Sequence, residues 1–194
     1  VASQLLGEEQ GGLNYWIACI RECFEECGVL LAYRADGSVF GSANEEEMKT
    51  LIDYRAKLNN GEPVLLELCQ KLNLKLAVDR LAYISHWVTP KSEMKRYSTR
   101  FFIALFPEGQ EAKHDGSEGV RSIWIKPEEA LERGAKGDFP IIFPTIKNLE
   151  SITGYSNTES LLQDKAKEQN NIKSNVYNLI DASLNYEIKN INNA

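Results

Sequence analysis

The sequence predicts a mixed α/β fold: a sheet flanked by helices, with a helical insertion after the first strand and a helical extension at the C-terminus. Three observations carry this. An amphipathic run over residues 14–27 ends at Gly28 and passes directly into the apolar stretch VLLAYR. Two β-rich runs, LAVDRLAYISHWVT and TRFFIALFP, come after a long helix-patterned segment. Pro127 and Pro144 then open two further helical stretches.

Each element has a local reason. Residues 1–12 are polar and glycine-rich, the composition of a loop. In the 14–27 run, Trp16, Ile20, Cys23, Phe24 and Cys27 gather on one side of a helix, and Gly28 supplies a left-handed stop. VLLAYR follows as a strand and ADGS as a turn. In NEEEMKTLIDYRAKLNNG, Met48, Leu51, Ile52, Tyr54, Arg55 and Leu58 recur at helical spacing, with Asn44 as cap and Gly61 as stop. EPVLLELCQKLNL has Pro63 in its first turn and predicts a second, more buried helix. These two helices span about 44–73, a stretch that the family resemblance described below makes an insertion. The run LAVDRLAYISHWVT is too long for one straight strand and must bend or bulge, and VRSIWIK alternates as a half-buried strand should. From Ser156 the composition shifts to Asn, Lys, Gln and Ser. There, TESLLQDKAKEQ and VYNLIDASLNYEI each have the pattern of a short amphipathic helix, separated by the loop NNIKSN. A domain over 1–155 and an extension over 156–194 are therefore expected.

The chain has 194 residues and a net charge of −6, a balance that attracts neither nucleic acid nor an anionic membrane surface. No apolar run reaches the length of a membrane span, the first residues lack the pattern of a signal peptide, and there is no C-terminal peroxisomal tripeptide. A cytoplasmic location is expected. Cys19, Cys23 and Cys27 recur every fourth residue along one helix, so they point the same way and are read as small buried side chains in a reducing compartment. Lys91, Lys95, Arg96 and Arg100 form a basic patch between two strands, a landing place for phosphate or a solvated hairpin loop. His86 is read as a satisfied strand residue and His114 as a loop residue.

One segment breaks a local rule. Glu22, Glu25 and Glu26 fall within one arc of the 14–27 helix, close to a C-terminus whose unpaired carbonyls already repel carboxylates. Solvated acidic faces are the ordinary outcome of such a run. Here Ala18 keeps the face uncrowded, and Arg21 stands where it can hold a carboxylate by charge-assisted bonds. A hard divalent cation would relieve the repulsion, and oxygen-only ligands suit magnesium or manganese.

The residues Arg21, Glu22, Cys23, Phe24, Glu25, Glu26, Cys27, Gly28 and Val29 resemble, position for position, the second half of the Nudix box. The helix-then-strand context is the one that motif requires. The first half departs from it: Gly7 sits at the position of the leading glycine, but Leu13 replaces the glutamate. The glycine turn is therefore expected upstream of Val1 or across an insertion, so the domain as written should lack N-terminal strands. Further stretches, SHWVTP, STRFFIALFP, DGSEGVRSIWIKPEEAL and FPIIFPTIKNLESI, are similar to the branch of Nudix hydrolases that includes a coenzyme A diphosphatase.

The resemblance implies an α/β/α sandwich with a mixed sheet, and hydrolysis of a nucleoside diphosphate linked to another moiety, with coenzyme A or acyl-coenzyme A among the substrates. It implies Mg2+ or Mn2+ held by Glu22, Glu25 and Glu26, with Glu22 and Glu25 catalytic and Arg21 orienting the carboxylates. A further acid is expected from the loop HDGSEG, which offers Asp115 and Glu118, and Glu118 is counted with the catalytic residues. Two alternatives stay open: a nucleotide-binding relative without turnover, and a fragment that needs its missing strands or a partner chain. A homo-oligomer would cover an exposed sheet edge.

Overall fold

In the computed structural model, which describes residues 1–116, 119, 121–169, 174–177 and 188–190, the chain opens with a helix where a loop was expected. This helix, α1 (Ala2–Leu6), stops at Gly7 with a left-handed φ of 67°. Ser3 Oγ accepts from the amide of Gly12 at 2.9 Å, and Glu8 pairs with Arg100. The polar residues of 1–12 are thus used to fasten the segment down, which composition does not reveal.

Helix α2 (Leu13–Cys27) buries Trp16, Ile20 and Phe24, spaced four apart on one face. It ends where predicted: Gly28 has φ 74° and donates to the carbonyl of Phe24 at 3.0 Å. Of the predicted strand VLLAYR only β1 (Ala32–Tyr33) forms, antiparallel to β2 (Lys75–Leu76). Leu30 meets a side chain in place of a neighbouring strand. Its amide donates to Gln110 Oε1 at 2.9 Å, and Gln110 Nε2 donates to the carbonyls of Leu30 at 2.9 Å and Phe40 at 2.7 Å.

The insertion folds as two helices, α3 (Glu45–Asn59) and α4 (Leu65–Lys71). Asn44 caps α3 by accepting from the amides of Glu46 at 3.0 Å and Glu47 at 2.9 Å, while the Glu47 carboxylate takes the Asn44 amide at 2.9 Å. This reciprocal box satisfies donors that the first helical turn leaves open. Tyr54 and Leu58 face the core. Pro63 stands ahead of α4 rather than inside its first turn, and Leu65, Leu68 and Cys69 are buried.

The long β-rich run breaks as it must. A 3-10 turn at Val78–Arg80 separates β2 from β3 (Ala82–Val88), and β3 pairs antiparallel with β4 (Ser98–Ile103). Between Tyr83 and Ser85 the register slips, since Tyr83 faces Phe102 while Ser85 faces Phe101. The extra residue turns the strand over. Tyr83 and Phe102 pack against Trp16 of α2, at ring distances of 6.2 and 5.0 Å. Ser85 and Trp87 look the other way, to Asn148 and Phe143.

That second face is covered by helices α5 (Pro127–Lys136), α6 (Phe143–Glu150) and α7 (Thr158–Glu168). Pro127 occupies the first position of α5, as predicted, and Pro144 lies in the first turn of α6. One prediction fails here. VRSIWIK is not a strand among its described residues: no described strand pairs with it, Trp124 is 77% exposed, and its ring meets Phe106 edge-on at 5.0 Å. Of the helix expected over VYNLIDASLNYEI, Val176 and Tyr177 lie in β5 (Ser174–Tyr177) and Ile188 in β6 (Ile188–Asn190), and its middle, 178–187, lies outside the described residues. The edge of β3 takes β5 in parallel and β5 takes β6 antiparallel. The resulting mixed sheet has the order β4-β3-β5-β6.

Candidate active site

The acidic face of α2 lies opposite its buried stripe, and the three glutamates line one pocket. This pocket, of about 140 Å³, is closed on the other side by Leu58, Asn59 and Gly61 from the end of α3, and by Asp115. The loop HDGSEG therefore delivers an acid to the cluster. Asp115 is the one the structure places there; Glu118 lies outside the described residues.

Arg21 organises the carboxylates. Its Nη1 donates to both oxygens of Glu25, at 2.6 and 2.5 Å, and its Nη2 pairs with Glu22. Glu25 is thereby fixed, with its side chain only 12% exposed, whereas that of Glu22 is 50% exposed. Among the described residues no three acidic, histidine or cysteine side chains already stand close enough to enclose a metal ion. The donor chemistry fits a hard divalent cation all the same. Four carboxylates, all oxygen donors, border one small pocket, and exposed glutamates reorient at little cost.

An arginine from the insertion resolves the conflict at the helix end. Arg55 donates from Nε to the carbonyl of Glu25 at 3.0 Å, and from Nη2 to the carbonyls of Glu26 at 2.9 Å and Lys113 at 2.8 Å. It supplies the positive charge that the α2 C-terminus requires, leaving the carboxylates of the last turn for other use. The amide of Lys113 in turn donates to the carbonyl of Cys27 at 2.8 Å. These bonds tie α2, α3 and the 113–115 segment into one unit and set the position of Asp115. Gly28 is needed here twice over, for its positive φ and because a Cβ would stand 3.0 Å from Arg55 Nη1.

Sequence reasoning missed Arg55 as a site residue, although the signal was present. It falls one turn after Leu51 on the inward spacing of α3, where a cation must have a buried purpose. Gln110 and Lys113 gave no comparable signal.

Other candidates lie apart from the glutamates. Arg100 is not part of an exposed basic patch: its side chain is only 6% exposed, paired with Glu8, with its guanidinium 3.8 Å from the ring centre of Tyr15. Arg96 donates to the carbonyl of Thr89 at 3.0 Å, and none of the four basic residues lines the acidic pocket. His86 is buried, with Nε2 2.8 Å from Ser98 Oγ, the satisfied strand residue that was expected. The cysteines are free thiols, but Cys19, Cys23 and Cys27 flank the core half-buried, and only Cys69 is fully inside. Burial, with Glu22 adding, pushes Cys19 up to about 11, so that thiol is inert near neutrality. Beyond Asp115 a larger groove of about 610 Å³ opens between α3 and residues 109–115.

A mixed α/β fold in which one helix presents Arg-Glu-x-x-Glu-Glu to a pocket, capped by glycine before a strand, defines a Nudix hydrolase fold. The structure of a NUDIX hydrolase from Alicyclobacillus acidocaldarius matches it with a TM-score of 0.62 at 25% identity, covering 74% of this chain and 63% of that one. Within that class the chain belongs to the family of the NUDT19 Nudix domain, whose family model it matches over residues 7–152. It is 26% identical over 164 residues to the acyl-coenzyme A diphosphatase NUDT19 of Gallus gallus, covering 78% of this chain and 43% of that protein. To the human protein of the same name it is 32% identical over 123 residues, covering 60% of this chain and 32% of the other. The chain thus spans less than half the length of these relatives. Among the described residues no helix is long and apolar enough to cross a membrane.

Proposed function

We propose that this chain carries a metal-dependent diphosphatase site that hydrolyses a nucleoside diphosphate linked to another moiety, coenzyme A and its acyl thioesters first among them. The observation that carries the reading is the meeting of Glu22, Glu25, Glu26 and Asp115 around one pocket, on a helix whose end is neutralised from outside by Arg55. The names of the NUDT19 relatives support the substrate class.

Glu22 and Glu26, one turn apart, are the main ligands for Mg2+ or Mn2+, with Glu25 third. Such a cation, when bound, neutralises phosphate oxygens and makes a bound water more acidic. The chain's own residues do the positioning. Arg21 fixes Glu25 by a two-point bond and steers Glu22, Arg55 holds the helix end, and Asp115 faces the glutamates from across the pocket. Water adds to one phosphorus, the phosphoanhydride bond breaks, and each product leaves with one of the two phosphates that the bond had joined. Four free thiols support a reducing, cytoplasmic setting.

The test is a panel of coenzyme A, octanoyl-coenzyme A and ADP-ribose incubated with the chain and Mg2+, Mn2+ or EDTA, with products separated by chromatography. Cleavage of a diphosphate that EDTA abolishes is the expected result. No cleavage of any panel member with either cation would refute the reading.

A further inference from the structure

We propose that the groove between α3 and residues 109–115 receives an apolar arm of the diphosphate substrate, so that the helical insertion selects an acyl-coenzyme A over an unacylated one. This rests on the diphosphatase reading above and names the part of the molecule that reads the far end of its substrate.

The groove has the size of a small-molecule site, about 610 Å³ against the roughly 300–1,000 Å³ usual for such pockets. It is continuous with the acidic pocket, because Asp115 lines both. Its lining is chemically mixed. Charged and polar groups, Arg55, Lys113, His114 and Asp115, share its walls with the apolar side chains of Leu30, Phe40, Leu51 and Ile52. A ligand that carries both a phosphate and a hydrocarbon matches that mixed lining.

A second feature points the same way. Helix α3 buries Tyr54 and Leu58 against the core, yet leaves Met48 46% and Ile52 63% exposed, and both of these line the groove. Two large apolar side chains held at a groove mouth by a rigid, box-capped helix are at a cost in water unless something apolar covers them. Leu66 on α4 is exposed to a similar degree, 69%, but borders no described pocket that contains an acid of the cluster, which makes it a natural control.

The experiment measures affinity for acetyl-, butyryl-, hexanoyl-, octanoyl- and decanoyl-coenzyme A by calorimetry in EDTA, so that nothing is consumed. It uses the unaltered chain, Ile52→Glu and Leu66→Glu, each checked for fold by circular dichroism. Burial of a methylene is worth roughly a three- to fourfold gain in affinity when complete, so a partly open groove should give about twofold per methylene. The unaltered chain and Leu66→Glu are expected to show that slope, and Ile52→Glu a flat one. A flat slope in the unaltered chain, no binding at all, or a slope that survives in folded Ile52→Glu would overturn the proposal. Chain-length-dependent binding without any Mg2+- or Mn2+-supported cleavage would instead overturn the diphosphatase reading and leave the groove assignment standing.

Discussion

The guanidinium of Arg55, on the helical insertion, donates to the main-chain carbonyl of Glu26, in the last turn of α2, at 2.9 Å. The insertion therefore closes the acidic helix as well as following it in sequence. A carboxylate cluster next to the negative end of a helix would be strained by its own field, and a cation on the carbonyls removes that strain without occupying the carboxylates.

Replacing Arg55 should therefore cost more than a surface arginine does. Arg55→Ala leaves three carbonyls without their charged donor and is expected to destabilise by about 2 kcal/mol, since hydrogen bonds to charged groups are each worth roughly 1.5–3 kcal/mol before solvent takes over part of the role. Arg55→Lys, unable to span three acceptors, should recover less than half. Urea denaturation measures both.

Gly28 and Arg55 are expected to be coupled. Gly28→Ala forces a Cβ into a left-handed backbone and to within 3.0 Å of Arg55 Nη1, and should cost about 1–2 kcal/mol. In an Arg55→Ala background the second part of that cost disappears. A double-mutant cycle should give a coupling above about 0.5 kcal/mol, and strict additivity would mean that only φ matters.

What the sequence disclosed, and what it did not, divides along physical lines. Signals that act within a few residues were legible: the glycine stop at 28, the Asn44 cap, Pro127 at a helix start and the Arg21–Glu25 pairing one turn apart. The bulge in β3 was foreseen because ISHWVT and the residues before it are simply too long to run straight. Outcomes decided by distant partners were not legible. VRSIWIK alternates like a strand but no described strand pairs with it, 174–177 is a strand on the edge of β3, and Arg100 turned inward to meet Glu8 from ninety-two residues away. For the site, the three glutamates were named from sequence and the loop of the further acid with them, Glu118 rather than Asp115 being the acid chosen, but the cation that makes the glutamates' placement tolerable came from the insertion.

The two faces of α2 should separate cleanly by function. Glu22→Gln keeps shape and removes charge, so turnover of any diphosphate substrate should fall at least a hundredfold, on the order of 3 kcal/mol in transition-state stabilisation, while the melting temperature holds. Cys27→Ala should cost about 1 kcal/mol of stability and change turnover by less than threefold. Loss of activity in a folded Cys27→Ala, with Glu22→Gln intact, would indicate a thiol mechanism.

His86 gives the fold a pH dependence of known sign. Burial, aided by the nearby charge of Arg100, holds its pKa below the ordinary 6.5. The unfolded chain then binds the proton more readily than the folded one, so stability is highest above pH 6.5 and falls as pH drops below that value. Thermal melts between pH 7.5 and 5 should show the decline, reduced in His86→Gln.

The account stands most directly on where the cation binds. Manganese titrations followed by electron paramagnetic resonance, on the unaltered chain and on Glu22→Gln, Glu26→Gln and Asp115→Asn, report free and bound ion without any substrate. The account predicts saturable binding by the unaltered chain at millimolar manganese or below, weakened at least tenfold in each glutamine variant and less in Asp115→Asn. Binding of equal strength in all four proteins, or none in the unaltered chain, would contradict it.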